Sequence, residues 1–212
     1  PVSEIKYVCR NVDIIMARLI KNETVELFGK NATVPFINGC DNSYHPCQIL
    51  ADALTILEKF GTLDVNLMYI GAKNNVFNSH VEFFSKMKKG TLYGLTPLVN
   101  ETACGPDFYE EAKKSGHYIE LDPSMSMEEA KEYANKMDVL YTDTWVDMEF
   151  FNNPAYQKQK EETLAKMMPY QLNGDFTKDS KAIVFHDMPM HVGFEISQDA
   201  VSYTHLTLPT IA

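Results

Sequence analysis

The sequence holds no apolar run approaching the roughly 20 residues that cross a bilayer, and no secretory-leader pattern. A membrane partner is therefore not expected. Its four cysteines, Cys9, Cys40, Cys47 and Cys104, form no Cys-x-x-Cys pair and no zinc spacing. That excludes a disulfide scaffold and a zinc module, and points to reduced thiols in a cytoplasm. No Gly-x-Gly-x-x-Gly follows an apolar run, which speaks against a dinucleotide-dependent oxidoreductase, and no Gly-x-Ser-x-Gly elbow marks a serine nucleophile. Positive charge is also scarce. Nineteen Lys and Arg stand against 29 Asp and Glu, a formal charge of −10, so nucleic acid is not expected as a partner. Any anionic substrate must be held by a local cluster, because the overall field repels it.

What is present is ordinary for a soluble globular chain, with 45% hydrophobic residues among 212, enough for one full domain and part of another. Apolar runs alternate with amphipathic segments. Strands are expected in 12–20, 34–38, 64–72, 91–97, 117–122, 138–145 and 181–188. Helices are expected between them, including "CQILADALTILEKFG" with Ile49, Leu50, Leu54, Ile56 and Leu57 on its apolar face. "NNVFNSHVEFFSKMKKG" carries Val76, Phe77, Val81, Phe83 and Phe84 inward. Strand–helix repeats with short links give an α/β fold, a mostly parallel sheet with helices on both faces. Ligands of such sheets bind beyond the carboxyl ends of the strands, and the unusual polar residues sit just there. The last stretch, "VSYTHLTLPTIA", continues none of this pattern and is set aside as a non-native tail.

In "NGCDNSYHPCQILADALTILEKFG" a helix is entered through His45-Pro46-Cys47-Gln48. Proline suits a first helical turn, but the flanking histidine and glutamine are not required by it. With Arg18 they form a candidate oxyanion-type set of three donors toward one carbonyl oxygen. The competing readings are an ion pair for Arg18 and capping roles for His45 and Gln48. In "YIGAKNNVFNS" either Asn74 or Asn75 can cap a helix or meet a ligand. Asp143 in "YTDTWVDME" suits a substrate ammonium or a turn, with Asp147 and Glu149 adding negative charge. His186 and Asp187 in "FHDMPMHVG" are a candidate base–orienter pair, although adjacent strand residues point to opposite faces and need not touch. His80 and His117 lack metal spacing and read as surface groups.

The segments "VDIIMARLIKN", "VPFINGCDNSYHPCQILADALTILEKFG", "MYIGAKNNVFNS", "LYTDTW", "PYQLN" and "FHDMPMHVGFEI" occur in an order that resembles the ornithine carbamoyltransferase family over nearly all of 1–200. The resemblance implies transfer of a carbamoyl group from carbamoyl phosphate to the side-chain amine of ornithine. It implies no metal or cofactor, and a homotrimer at full length. It also implies that Arg18, His45 and Gln48 contact carbamoyl phosphate, and that Asn75 and Asp143 hold the amino-acid end of ornithine. His186, Asp187 and Pro189 fall on the family's His-Cys-Leu-Pro signature.

Asp187 thus stands where the family has cysteine, and Val192 or His191 where it has arginine. An ionised Asp187 repels phosphate and attracts an ammonium, so either its pKa is raised or it faces the amine. Putrescine or another amine is the alternative acceptor, and a catalytically inactive binding paralogue the alternative role. The family's Ser-x-Arg-Thr-Arg phosphate loop is placed upstream of position 1, so this stretch alone is expected to be inactive. The expected organisation is the end of a carbamoyl-phosphate domain in 1–45, an interdomain helix in 46–60, a Rossmann-like amine-binding domain in 61–200, and the tail in 201–212.

Overall fold

The computed structural model describes residues 2–146 and 148–203. In chain order they form α1 (Val2–Cys9), β1 (Ile15–Arg18), α2 (Asn22–Asn31), β2 (Phe36–Cys40), α3 (Pro46–Phe60), β3 (Asn66–Lys73), α4 (Asn75–Met87), β4 (Thr91–Val99), α5 (Pro106–Lys113), β5 (Tyr118–Glu120), α6 (Met127–Ala134), β6 (Val139–Thr142), α7 (Met148–Phe151), α8 (Gln157–Met167), α9 (Gly174–Thr177), β7 (Ile183–His186) and α10 (Gln198–Tyr203). Strands β1 and β2 pair in parallel as a small sheet, while the larger sheet has the order β5-β4-β3-β6-β7 with every pair parallel.

Side-chain alternation along β3 explains why this sheet is covered on both faces. Leu67 and Tyr69 join Val76, Phe77, Phe84, Leu92, Tyr118, Val139 and Tyr141 in one core. Met68 and Ile70 join Leu95, Ala130, Leu140, Phe176, Val184 and Ile196 in the other. Tight approach at Gly94 on β4 belongs to the first core. A Cβ there would lie 2.7 Å from Phe77 Cζ and 3.2 Å from Tyr118 Cε2. The Phe77 ring is itself held among Tyr69, Tyr109 and Tyr118. Gly94→Ala should therefore destabilise the chain by about 1–3 kcal/mol, read as a lower urea midpoint; an unchanged midpoint would show that the ring yields.

The helix ends follow from local chemistry. His45 caps α3, with Pro46 opening it and Gly61 closing it in the left-handed region at φ 70°. Asn74 caps α4, and Ser126 with Glu129 forms a capping box on α6.

Several expectations need correction. The run 12–20 pairs only over Ile15–Arg18, because β2, its one partner among the described residues, is short, and Ile14 and Ile20 stay exposed. The apolar face of α3 is split. Ile49, Ala53 and Ile56 are buried with Asp52, whereas Leu50, Leu54 and Leu57 form an exposed stripe. His80 is not a surface group but is fully buried on α4, where the inward face takes in Asn78, Ser79 and His80 as well as the apolar residues. The stretch set aside as a tail begins inside α10, and Val201 packs against the second core. Residues 204–212, Asp147 and the Glu149 side chain lie outside the described residues. No helix among the described residues is long and apolar enough to cross a membrane.

Candidate active site

A cleft of about 590 Å³ opens beyond the carboxyl ends of both sheets. Arg18 ends β1 and Cys40 ends β2, while Asn74, Asp143 and Asp187 directly follow β3, β6 and β7. The strand order reverses direction between β3 and β6, the place where a doubly wound sheet leaves a crevice. His45, Gln48 and Asn75 line the same cleft. Six of the seven residues singled out in the sequence are therefore brought together.

His186 is the exception. It is buried and turned away from the cleft, donating from Nε2 to Glu195 Oε1 at 3.2 Å while its Nδ1 accepts from the Met188 N–H at 2.8 Å. Its neighbour Asp187 faces the other way, as strand alternation requires. The two are not a base–orienter pair. His186 and Glu195, which also accepts from the His191 N–H, hold the loop that carries Asp187. His191 stacks on Phe151 at 3.6 Å.

His45 serves two purposes. Its Nδ1 accepts from the Gln48 N–H at 3.3 Å, which caps α3 and fixes the neutral tautomer with hydrogen on Nε2. Burial and then the Arg18 guanidinium lower its pKa, against opposing pulls from Asp143 and Asp52. Near neutral pH the ring is an uncharged donor that offers Nε2–H to the cleft. Its backbone N–H donates to Ser79 Oγ at 2.7 Å, tying the entry of α3 to α4.

Gln48 departs from the expected donor role. Its Nε2 donates to Asp52 Oδ1 at 3.0 Å and reaches Tyr141 Oη at 3.4 Å. A carboxylate oxygen accepts, so the atom facing it is the amide nitrogen. The amide oxygen is what Gln48 has left for the cleft, where it can accept from an N–H of a ligand. Arg18 and His45 remain as the donors.

At the other end, Asp143 is buried and accepts from Asn74 Nδ2 at 2.7 Å and from the Thr144 N–H at 2.6 Å. Asn74, not Asn75, is the helix cap, accepting from the Phe77 N–H at 2.9 Å. Asn75 donates to Asp41 O at 2.7 Å from the cleft wall. Asp187 is partly buried. Burial first, then the charges of Asp143 and Asp52, push its carboxyl up to about 9, with Arg18 pulling the other way. At neutral pH it is a carboxylic acid with an O–H to donate. Burial also pushes the Cys40 thiol up, so it is not an activated nucleophile. Among the described residues no three His, Cys, Asp or Glu side chains are gathered as metal ligands.

Asp41, Asp52 and Glu195 went unread in the sequence. Asp41 accepts from Ser43 N, Tyr44 N, Asn22 Nδ2 and Asn38 Nδ2, all within 2.6–2.9 Å, and so shapes the loop that delivers His45. An aspartate two and three residues before the N–H groups it binds is an Asx-turn signal available in "CDNSYHP". Nothing local marks Glu195.

Comparison with known proteins gives matches to two family models. The Asp/Orn binding domain of aspartate/ornithine carbamoyltransferase matches residues 63–208, and the carbamoyl-P binding domain matches residues 3–58. Ornithine carbamoyltransferase of Archaeoglobus fulgidus is 32% identical over 202 residues, covering 92% of this chain and 60% of that protein. The Pyrococcus horikoshii enzyme is 36% identical over 208 residues, covering 91% and 58%. Among solved structures, ornithine carbamoyltransferase from Pyrococcus furiosus superposes with a TM-score of 0.78 at 32% identity, covering 95% of this chain and 62% of that one. The Thermus thermophilus enzyme gives 0.76 at 29%, covering 97% and 64%. The chain thus spans about 60% of the length of these curated relatives.

Proposed function

Because this chain belongs to the aspartate/ornithine carbamoyltransferase family, we propose that the whole protein transfers the carbamoyl group of carbamoyl phosphate to the side-chain amine of ornithine, giving citrulline and phosphate. The observation that carries this reading is the convergence of Arg18, His45 and Gln48, from β1, the loop before α3 and α3 itself, on one cleft with Asn75, Asp143 and Asp187. Arg18 and the Nε2–H of His45 polarise the carbamoyl oxygen, and the Gln48 oxygen accepts from the carbamoyl NH2. The amine nitrogen attacks the carbon, the C–O bond to phosphate breaks, and the departing phosphate takes the proton the amine sheds. Donors fixed in advance act on charge as it develops, with little reorganisation. Asn75 and Asp143 hold the amino-acid end of ornithine.

An un-ionised Asp187 leaves the phosphate unrepelled, and the acidic Asp143 that lines the same cleft suits an ammonium. That favours a second reading, in which the acceptor is a diamine such as putrescine. We place the protein in the cytoplasm, on its four free cysteines, and as a homotrimer, on the family resemblance. The test is an assay of the whole protein with carbamoyl phosphate and either ornithine or putrescine. Citrulline formation is expected. Faster carbamoylation of putrescine moves the assignment to the diamine, and no transfer to either overturns both in favour of a binding paralogue.

A further inference from the structure

Two buried groups have no part in that chemistry. Asp52 on α3 and His80 on α4 are 1% and 0% exposed, and His80 Nε2 lies 3.4 Å from Asp52 Oδ2. Among the described residues neither atom has another hydrogen-bonding partner. His80 Nδ1 lies 2.9 Å from the Val76 carbonyl oxygen. A carbonyl can only accept, so Nδ1 carries a hydrogen. Two bare lone pairs facing each other in a buried site repel. One hydrogen between Nε2 and Oδ2 joins them, whichever atom carries it. That leaves Asp52 Oδ1 as a fixed acceptor, and the atom opposite it, at 3.0 Å, is Gln48 Nε2. The His80 ring stands edge-on to Tyr141 with centroids 4.4 Å apart, and the Tyr141 hydroxyl meets the same Gln48 nitrogen. Turning the Gln48 amide over would set its oxygen against a carboxylate.

We propose that His80, acting through Asp52, is a positioning residue for Gln48: it keeps the amide NH2 turned into the protein and the oxygen toward the cleft, so that the cleft takes an acyl group bearing N–H, a carbamoyl, in preference to one bearing methyl, an acetyl. The inference rests on the carbamoyl-transfer reading for its consequence, but its structural half can be read without any activity. A site that hydrogen-bonds an N–H rejects the analogue lacking it, because a buried acceptor is left unpaired.

In the ¹⁵N-labelled whole protein the Gln48 side-chain amide hydrogens should show contacts to the Tyr141 ring and exchange slowly with solvent. Absence of both in the wild-type chain overturns the proposal, whatever any variant does. His80→Leu should speed that exchange about tenfold or more, and His80→Gln, which can still donate to Asp52, should restore it. In the whole protein His80→Leu should lower the preference for carbamoyl phosphate over acetyl phosphate by about tenfold, with His80→Gln close to wild type. A purely structural His80 would lower the melting midpoint while leaving amide exchange and the preference alone, and that result overturns the positioning role. Wild-type protein that transfers no acyl group at all defeats the functional reading, while the amide measurements still decide the geometry.

Discussion

His45→Asn should cost the whole protein about 100- to 1,000-fold in kcat while leaving its melting midpoint nearly unchanged. The two consequences separate because His45 uses its two ring nitrogens differently. Nδ1 accepts from the Gln48 N–H and caps α3, and the asparagine oxygen can do the same, being among the best N-caps. Nε2–H is the donor to the cleft, and asparagine does not extend far enough to replace it. In the proposed transfer the Arg18 guanidinium would then face the carbamoyl oxygen alone. His45→Ala should add to the kinetic loss a stability loss of about 1 kcal/mol from the missing cap. A fall in kcat of less than about threefold for His45→Asn, against the 100-fold typical of a lost oxyanion donor, would reduce His45 to a capping residue.

Asp187→Asn should stabilise the chain, and by more as pH rises. The carboxyl ionises near 3.8 when unperturbed and near 9 in the folded cleft, where burial and the Asp143 charge oppose ionisation. Between those values the folded chain binds a proton that the unfolded chain has released. Stability therefore falls as pH climbs through that window, by at most about 1.4 kcal/mol per pH unit, and levels off above the folded value. Below the lower value the group is protonated in both states and costs nothing. By pH 7 the accumulated cost reaches up to about 4 kcal/mol. Asparagine fills the same space and cannot ionise. Urea midpoints measured from pH 4 to 9 should diverge, the variant gaining on the wild type at each step. Parallel curves would mean that the Asp187 carboxyl is ionised in the folded state at neutral pH, and the un-ionised hydrogen-bond donor would be lost from the site.

The layout of the cleft was legible because it depends on strand ends, and strand ends are visible as apolar runs that stop at polar residues. Arg18, His45, Asn75, Asp143 and Asp187 were all found this way. What escaped has a common cause. The direction of the Gln48 amide is set by Asp52 four residues on, and by Tyr141, 93 residues away. Sequence spacing carries no trace of the second contact. His80 looked like a surface histidine because its partner lies on another helix. His186 was misassigned for the opposite reason: its strand was recognised, but nothing in "FHDMPM" says which of two adjacent residues looks inward. The split face of α3 has a further origin, since apolar periodicity reports which residues prefer burial and not what is there to bury them.

The parallel sheet imposes a schedule on biosynthesis. No two of its strands are joined by a hairpin, and β3 must wait some seventy residues for β6. The neighbour that seals β6, and the aspartate at its tip, leave the ribosome some forty residues after β6 itself. A nascent chain released before position 183 would expose the β6 backbone as a bare edge while lacking the Asp187 wall of the cleft. A stop codon ahead of β7 thus yields a sticky product with an open cleft.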